Sequence, residues 1–216
     1  MLDQLTEVEA RVVGSLVEKQ LTTPEYYPLT LNALAAACNQ KSNRDPVMSL
    51  DETAIMTAVD TLRDKNLVYL YYGTGSRTVK YKHMLPSVYG LDDAGAAIVA
   101  VLLLRGPQTI GELRERTSRL HEFSSLGEVQ ETLDALSRRD EPVVAKLERQ
   151  AGQKESRYAH LLSGEPVSHE SVAPSRHAGG TNSDQRIEDL EREVESLKSE
   201  LASFRTMFDE FRKQFE

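Results

Sequence analysis

The chain contains one sequence pattern twice. Residues 28–34 (PLTLNAL) are echoed by residues 107–113 (PQTIGEL), and each copy lies between two patterns typical of helices. Each half then ends in a β-type stretch that closes with Tyr-x-His-x-Leu, beginning at Tyr81 and at Tyr158. A repeat of about 80 residues is too long for a solenoid unit and has the size of a small domain. Three helices and a hairpin, in that order and twice, predict two tandem winged-helix domains in an α+β, mainly α fold.

Apolar residues at helical spacing predict three helices in each half. The inward residues of the two third helices share the spacing i, i+4, i+7: Ile55, Val59 and Leu62, then Val129, Leu133 and Leu136. Ser or Thr followed by Glu three residues later predicts four helix caps, at Thr6, Ser49, Thr109 and Ser125. The predicted helices cover residues 6–19, 30–38, 51–65, 92–104, 109–120 and 127–138, and the predicted hairpins cover residues 67–81 and 143–160.

The last part of the chain has a different composition. Residues 164–183 are rich in Ser, Pro, Gly and His, which is typical of a disordered linker. In residues 184–216, apolar residues alternate at spacings of three and four, as in the a/d seam of a coiled coil. The seam comprises Ile187, Leu190, Val194, Leu197, Leu201, Phe204, Phe208, Phe211 and Phe215. The predicted units are therefore winged-helix domains at 1–86 and 87–163, a linker at 164–183 and a C-terminal coiled-coil helix at 184–216.

Charges beside this seam favour a parallel homodimer. In a parallel, in-register pair the g and e positions meet with opposite sign: Arg186–Glu191, Glu193–Lys198 and Glu200–Arg205. In a symmetric antiparallel pair, Glu200 would face its own copy. The bulk of the Phe residues at the far end leaves a higher oligomer or a partner-binding end open, and a lone amphipathic helix is the other alternative.

Composition and motifs limit the class of protein. The net charge is −8 and Cys38 is the single cysteine, so an intramolecular disulfide is excluded and a reducing compartment is permitted. Because the N-terminus lacks a signal-peptide pattern and no apolar run reaches the roughly 20 residues of a membrane helix, we expect a cytoplasmic protein outside the membrane. Phosphate-loop, nucleophile-elbow and metal-binding motifs are missing from the sequence. We therefore expect no enzyme, no cofactor and no metal, and a core position for Cys38.

Cations cluster at the two predicted wings and at the turn before the first third helix. An acidic protein binds nucleic acid only through a local basic patch of this kind. The candidate phosphate contacts are Lys41, Arg44, Arg77, Lys80, Lys82, Arg149, Lys154 and Arg157, and the candidate base contacts are Asn39, Gln40 and Asn43. A further basic group, Arg114, Arg116 and Arg119, lies on the second helix of the second half. An ordinary solvated surface is the alternative for each group.

The predicted third helices carry the opposite charge. Such a helix enters the major groove in helix-turn-helix proteins, yet its outward residues here are acids: Asp51, Glu52, Asp60, Asp64, Glu128, Glu131 and Asp134. Either the wings bind duplex DNA, as in a transcription regulator, or the chain is a protein-interaction scaffold. In the second case the aromatic residues of the first hairpin, Tyr69, Tyr71 and Tyr72, would belong to the interface.

Long motifs are spread over residues 1–163: EKQ at 18–20, TTPE at 22–25, YPL at 27–29, CNQK at 38–41, LLLRG at 102–106, GELR at 111–114 and ESRY at 155–158. These motifs resemble the YceH-like family of bacterial proteins. The resemblance implies two winged-helix domains with a variable C-terminal extension. It implies no reaction and no catalytic residue, so DNA binding and scaffolding both stay open.

Overall fold

Helices dominate the described part of the chain, and two short hairpins accompany them. The computed structural model describes residues 4–73, 78–149 and 155–164. The helices of these residues are α1 (Glu7–Thr22), α2 (Leu31–Cys38), α3 (Glu52–Asp64), α4 (Leu85–Tyr89), α5 (Asp93–Arg105), α6 (Ile110–Thr117) and α7 (Leu126–Ser137). Two antiparallel hairpins pair β1 (Val68–Tyr72) with β2 (Val79–His83) and β3 (Val144–Lys146) with β4 (Tyr158–His160). The fold is α+β and mainly helical, as predicted. The predicted coiled coil, and the predicted linker beyond residue 164, lie outside the described residues.

The sequence repeat corresponds to a repeated order of elements. α1, α2, α3 and the first hairpin are followed by α5, α6, α7 and the second hairpin. In each half, the residue after the repeated proline pairs with the returning strand. The Leu29 N–H donates to the Tyr81 carbonyl at 3.3 Å and the Gln108 N–H to the Tyr158 carbonyl at 2.9 Å, and the reverse bond measures 2.7 Å in both halves. The repeated segment thus adds a third strand position to each hairpin and leads directly into the second helix.

Side-chain caps fix most helix starts where the sequence predicts them. Three predicted caps are confirmed: Thr6 with Glu9, Thr109 with Glu112, and Ser125 with Glu128. The predicted Ser49 cap is wrong. α3 is capped by Asp51, whose carboxylate accepts the Ala54 N–H at 2.7 Å. An aspartate next to the first helical residue caps the helix directly, whereas Ser49 lies two residues too early.

α5 lies at the centre of the core, and all of its residues from 95 to 104 are buried. α1 packs closely against it because Gly14 has no side chain. A Cβ at that position would lie 3.0 Å from the side chain of Leu104. One hydrophobic cluster therefore contains residues of both halves, and the described residues form one compact unit. The predicted domain boundary after residue 86 falls inside α4, a helix that the sequence patterns did not reveal, and stays a prediction.

Candidate nucleic-acid interface

The first hairpin presents two tyrosines and two lysines on its outer side. Tyr69 lies opposite Lys82, and Tyr71 lies opposite Lys80. Because alternate residues of a strand point to opposite sides, these four side chains share one face, which we call the outer hairpin face. Tyr69 and Tyr71 are 49% and 46% exposed, Lys82 is exposed and Lys80 is half-buried. Within the described part of the chain, neither lysine has a hydrogen-bond or ion-pair partner.

The opposite side of this hairpin is anchored in the core. Tyr81 and His83 are buried. The His83 N–H donates to the Tyr27 hydroxyl at 2.7 Å, and the two rings lie 5.7 Å apart. Burial, helped by the charge of Lys82, lowers the pKa of His83 to about 4, so its imidazole is neutral at neutral pH. The outer hairpin face is thus carried by strands that the core holds in place.

Arg44, one of the predicted phosphate contacts, lies inside the protein. Its side chain is 0% exposed, and it donates to the Glu18 carboxylate at 3.0 and 2.7 Å and to the Ala37 carbonyl at 2.9 Å. Burial acts to raise the pKa of Glu18, but the hydrogen bonds and charge of Arg44 outweigh it and hold that pKa below its usual value. This position corrects the expectation that Arg44 lies on the surface, and we leave it out of the interface.

The loop of residues 39–46 is fixed to the first half by buried polar contacts. The Asn39 side chain exchanges two hydrogen bonds with the backbone of Leu50, both at 2.8 Å. Arg11, which is 2% exposed, donates to the Cys38 carbonyl at 3.1 Å and to the Pro46 carbonyl. Asn39 was predicted to reach base edges, but its amide group is engaged within the fold.

The same loop is also fixed to the second half. The Asp45 N–H donates to the Leu104 carbonyl at 2.9 Å. The Arg105 guanidinium donates to the side-chain oxygen of Asn43 at 2.8 Å. Within the loop itself, Gln40 accepts a hydrogen bond from the buried Arg44 at 3.1 Å. Of the loop residues predicted to bind nucleic acid, only Lys41 is exposed without a partner in the described structure.

Loop 39–46 forms one wall of a groove of about 440 Å³ between the two halves. Its lining includes four cations (Lys19, Arg105, Arg116 and Arg119), three loop residues (Gln40, Ser42 and Asn43) and three apolar residues (Val101, Leu104 and Leu120). The sequence analysis singled out Arg116, Arg119, Gln40 and Asn43, and the structure brings these together. It missed Lys19 and Arg105, although both stand in the last turn of the first helix of their half. A comparison of these two equivalent helix ends in the sequence would have shown that each carries a cation.

Two of the cations predicted to bind nucleic acid at the second hairpin, Arg149 and Arg157, lie among the described residues. Arg157 is half-buried and donates to the Pro107 carbonyl at 2.8 Å and to the Glu112 carboxylate at 2.9 Å. It therefore ties β4 to the start of α6. Arg149 is exposed. Arg77 of the first wing and Lys154 of the second lie outside the described residues.

Acids line the outward sides of the third helices, as predicted. Exposed on α3 and at its cap are Asp51, Glu52, Asp60 and Asp64; on α7, Glu131 is exposed while Glu128 and Asp134 are half-buried. Arginines offset two of these charges, at 3.1 Å in each case: Asp60 with Arg63, and Asp134 with Arg138. A helix with this charge repels phosphate from its outer side.

Cys38 is fully buried, which confirms the predicted core position, and burial raises the pKa of its thiol to about 11. A protonated thiol of this kind is a poor nucleophile. Among the residues that the structure describes, no group of His, Cys, Asp and Glu side chains is arranged to hold a metal ion. None of the described helices has both the length and the apolar character needed to cross a membrane.

Comparison with known proteins assigns the chain to a family. The sequence pattern of a family described as a protein of unknown function, DUF480, matches residues 5–153. The chain belongs to the DUF480 family. A UPF0502 protein of Citrifermentans bemidjiense is 52% identical over 190 residues, which cover 88% of each chain. A UPF0502 protein of Pectobacterium carotovorum is 48% identical over 199 residues, covering 88% of this chain and 93% of its own. The DUF480 match covers most of both repeats and ends at residue 153, before β4, and the resemblance read from the motifs is confirmed.

Proposed function

We propose that this chain is a non-enzymatic tandem winged-helix protein of the transcription-regulator type that binds duplex DNA through its first wing. The outer hairpin face carries the proposal, because Lys80 and Lys82 stand beside Tyr71 and Tyr69 on one exposed side. Lysines contact phosphates independently of sequence, and tyrosine rings beside them supply contact area at the sugars and groove edges. Lys41 adds an exposed cation on the same half.

The wing suits DNA better than α3 does. If α3 entered the major groove, exposed acids such as Asp60 and Asp64 would approach phosphates and lower the affinity. The outer hairpin face has no acid among its four residues. A wing-first mode of binding therefore agrees with the charges of both elements.

Polarisation titrations of a labelled duplex across a range of salt concentrations test this proposal. We expect affinity to fall steeply with salt, because bound phosphates release counterions. The double substitution Lys80→Glu and Lys82→Glu should weaken binding by more than about tenfold and reduce the salt slope by about 2. The matched control is Arg63→Glu with Arg138→Glu, which makes the same charge change on exposed residues of the third-helix ends. Absence of binding at low salt, or an equal loss in the control, would overturn the proposal.

A protein-interaction scaffold is the second candidate function. The exposed acids of α3 and α7 favour it, since they form acidic surfaces at equivalent places in both halves. The exposed Tyr72, at 67%, together with Tyr69 and Tyr71, adds aromatic area of the kind found in protein interfaces. Absence of duplex binding at low salt would favour this function over the first.

A further inference from the structure

We propose that the groove beside loop 39–46 binds a small organic molecule carrying two or more phosphoryl groups. The lining residues come from α1, the loop, α5 and α6 with the residues that follow it, and none belongs to the outer hairpin face. The proposed site is therefore separate from the proposed DNA contact. Its volume of about 440 Å³ lies in the range of small-molecule sites, about 300–1,000 Å³.

Positive charge in the groove exceeds the negative charge available to neutralise it. Four cations line it against two acids, Glu18 and Glu115. Glu18 is already held by two hydrogen bonds from the buried Arg44. Arg119 has no hydrogen-bond or ion-pair partner among the described residues. The groove thus has cations to offer to an anionic ligand.

The other groove cations have partners: Lys19 lies 3.5 Å from the Glu18 carboxylate, and Arg105 donates to the neutral Asn43 side chain at 2.8 Å. Arg116 lies 3.5 Å from the Glu112 carboxylate, which Arg157 approaches more closely, at 2.9 Å. Burial, and next the positive charge of Arg116, lower the pKa of Arg105. Two guanidinium groups that disfavour each other's charge are stabilised by an anion placed between them.

The groove cations do not bind helix-terminal carbonyls in the described structure. Lys19, Arg105 and Arg116 stand in last turns, where the helix dipole attracts positive charge. Backbone N–H groups, however, already satisfy carbonyls at these ends: Thr23 donates to Lys19 at 3.0 Å and Gly106 to Leu102 at 2.9 Å. In the described structure, none of the four groove cations donates to a helix-terminal carbonyl. Their side chains are directed to other partners or to the groove.

The groove also has an apolar wall, which indicates a ligand with an organic part in addition to its phosphoryl groups. Val101 and Leu104 are buried residues of α5, and Leu120 is half-buried. Gln40 and Ser42, with an amide and a hydroxyl group, also line the groove. Several phosphoryl groups would bind the arginines while an organic part packs against the wall, as in a nucleoside triphosphate.

Isothermal titration of the full chain with inorganic phosphate, pyrophosphate and a nucleoside triphosphate, at constant ionic strength, tests this site. We expect saturable binding that strengthens in that order. Arg116→Gln with Arg119→Gln should weaken triphosphate binding at least tenfold. The control, Arg114→Gln with Arg138→Gln, removes the same charge from exposed residues outside the groove and should change the affinity less than twofold.

The outcomes separate this site from the proposed DNA surface. Lys80→Glu with Lys82→Glu should leave triphosphate binding unchanged, and Arg116→Gln with Arg119→Gln should leave duplex binding unchanged. Absence of saturable binding at millimolar pyrophosphate and triphosphate would overturn the proposal, as would an equal loss in the control. Displacement of triphosphate by duplex DNA, with loss of DNA affinity in the groove variant, would make the groove part of the DNA surface and would also overturn it.

Discussion

A buried charge pair decides how loop 39–46 is held. Arg44 is 0% exposed and Glu18 is 10% exposed, and the guanidinium also donates to the Ala37 and Asn43 carbonyls. Removing two charges from water costs free energy, so such a pair fixes geometry more than it adds net stability. Here the fixed geometry is that of the loop that forms one wall of the groove.

Substitution of Arg44 tests this role. Arg44→Met leaves the Glu18 carboxylate with only Lys19, at 3.5 Å, as a cationic neighbour, so we expect the free energy of unfolding to fall by about 3–5 kcal/mol. Adding Glu18→Leu removes the unpaired charge and should restore part of that loss. Urea unfolding of both variants measures the effect, with Arg138→Met as an exposed control that should cost less than about 1 kcal/mol. A double variant no more stable than Arg44→Met would contradict the pairing.

His83 makes stability depend on pH. Burial lowers its pKa from the ordinary 6.5 to about 4, so between these values the unfolded chain binds more protons than the folded one. The contribution of neutral His83 to the free energy of unfolding is complete above pH 6.5 and is lost as the pH falls towards 4. His83→Phe keeps a ring beside Tyr27 but cannot titrate. We expect the difference in free energy of unfolding between this variant and the wild type to change by about 2 kcal/mol in favour of the variant when the pH falls from 7 to 5. Urea unfolding at both pH values measures the gap, and a gap independent of pH would refute the assignment.

The burial of Arg44 could not be predicted from its neighbours. The surrounding Asn, Gln, Lys and Ser residues are typical of an exposed turn. The residue that Arg44 binds is distant in the sequence: Glu18 lies in α1, whose buried side also contains Arg11 and Ser15, and a buried acid needs a cation. The sequence contains many arginines, so it does not show which one answers Glu18. By contrast, Cys38 stands beside alanines, and local composition was enough to place it in the core.

At the scale of elements, caps and apolar stripes were sufficient to predict most helices. The stripe of Ile55, Val59 and Leu62 is buried as predicted, because a regular spacing leaves one arrangement that hides it. Short elements were not predicted, because α4 has five residues and these are too few to show a helical period of apolar residues. α6 ends at Thr117, before the predicted residue 120, and the Thr117 hydroxyl donates to the Leu113 carbonyl at 2.8 Å. That bond is local, between residues one turn apart in the same helix, and the apolar spacing did not predict it.

The contact between α1 and α5 depends on Gly14. Gly14→Val would place methyl groups against Leu104 and Leu103, whose atoms already lie 3.0 and 3.1 Å from an added Cβ. We expect the free energy of unfolding to fall by about 1–3 kcal/mol or more, because the helices must move apart. Gly111→Val is the control, since a Cβ there approaches only the Thr109 hydroxyl, at 4.0 Å. Thermal and urea unfolding compare the two, and equal losses would show that Gly14 does not set the spacing.

At the scale of the molecule, the distribution of charge matters more than its sum. The chain carries a net charge of −8, so duplex DNA is repelled at long range and binding depends on local patches. Two such patches are the outer hairpin face and the groove, and the residues that define them include none of the acids of α3 and α7. One outer hairpin face with two lysines would bind duplex DNA weakly. Linking two or more copies of the chain would raise the affinity through a higher effective concentration.

The heptad seam of residues 187–215 supplies that link in the predicted parallel homodimer. Leu197→Asp puts a charge at a core d position, whereas Ser199→Asp adds the same charge at an outward f position and serves as the control. We expect light scattering after size exclusion to show a monomer for the first variant and a dimer for the second. Because the two first hairpins of the predicted dimer would bind one duplex with a raised effective concentration, Leu197→Asp should also weaken the proposed DNA binding by at least about tenfold. A dimer that persists in Leu197→Asp would place dimerisation elsewhere, and a monomeric wild type would remove it.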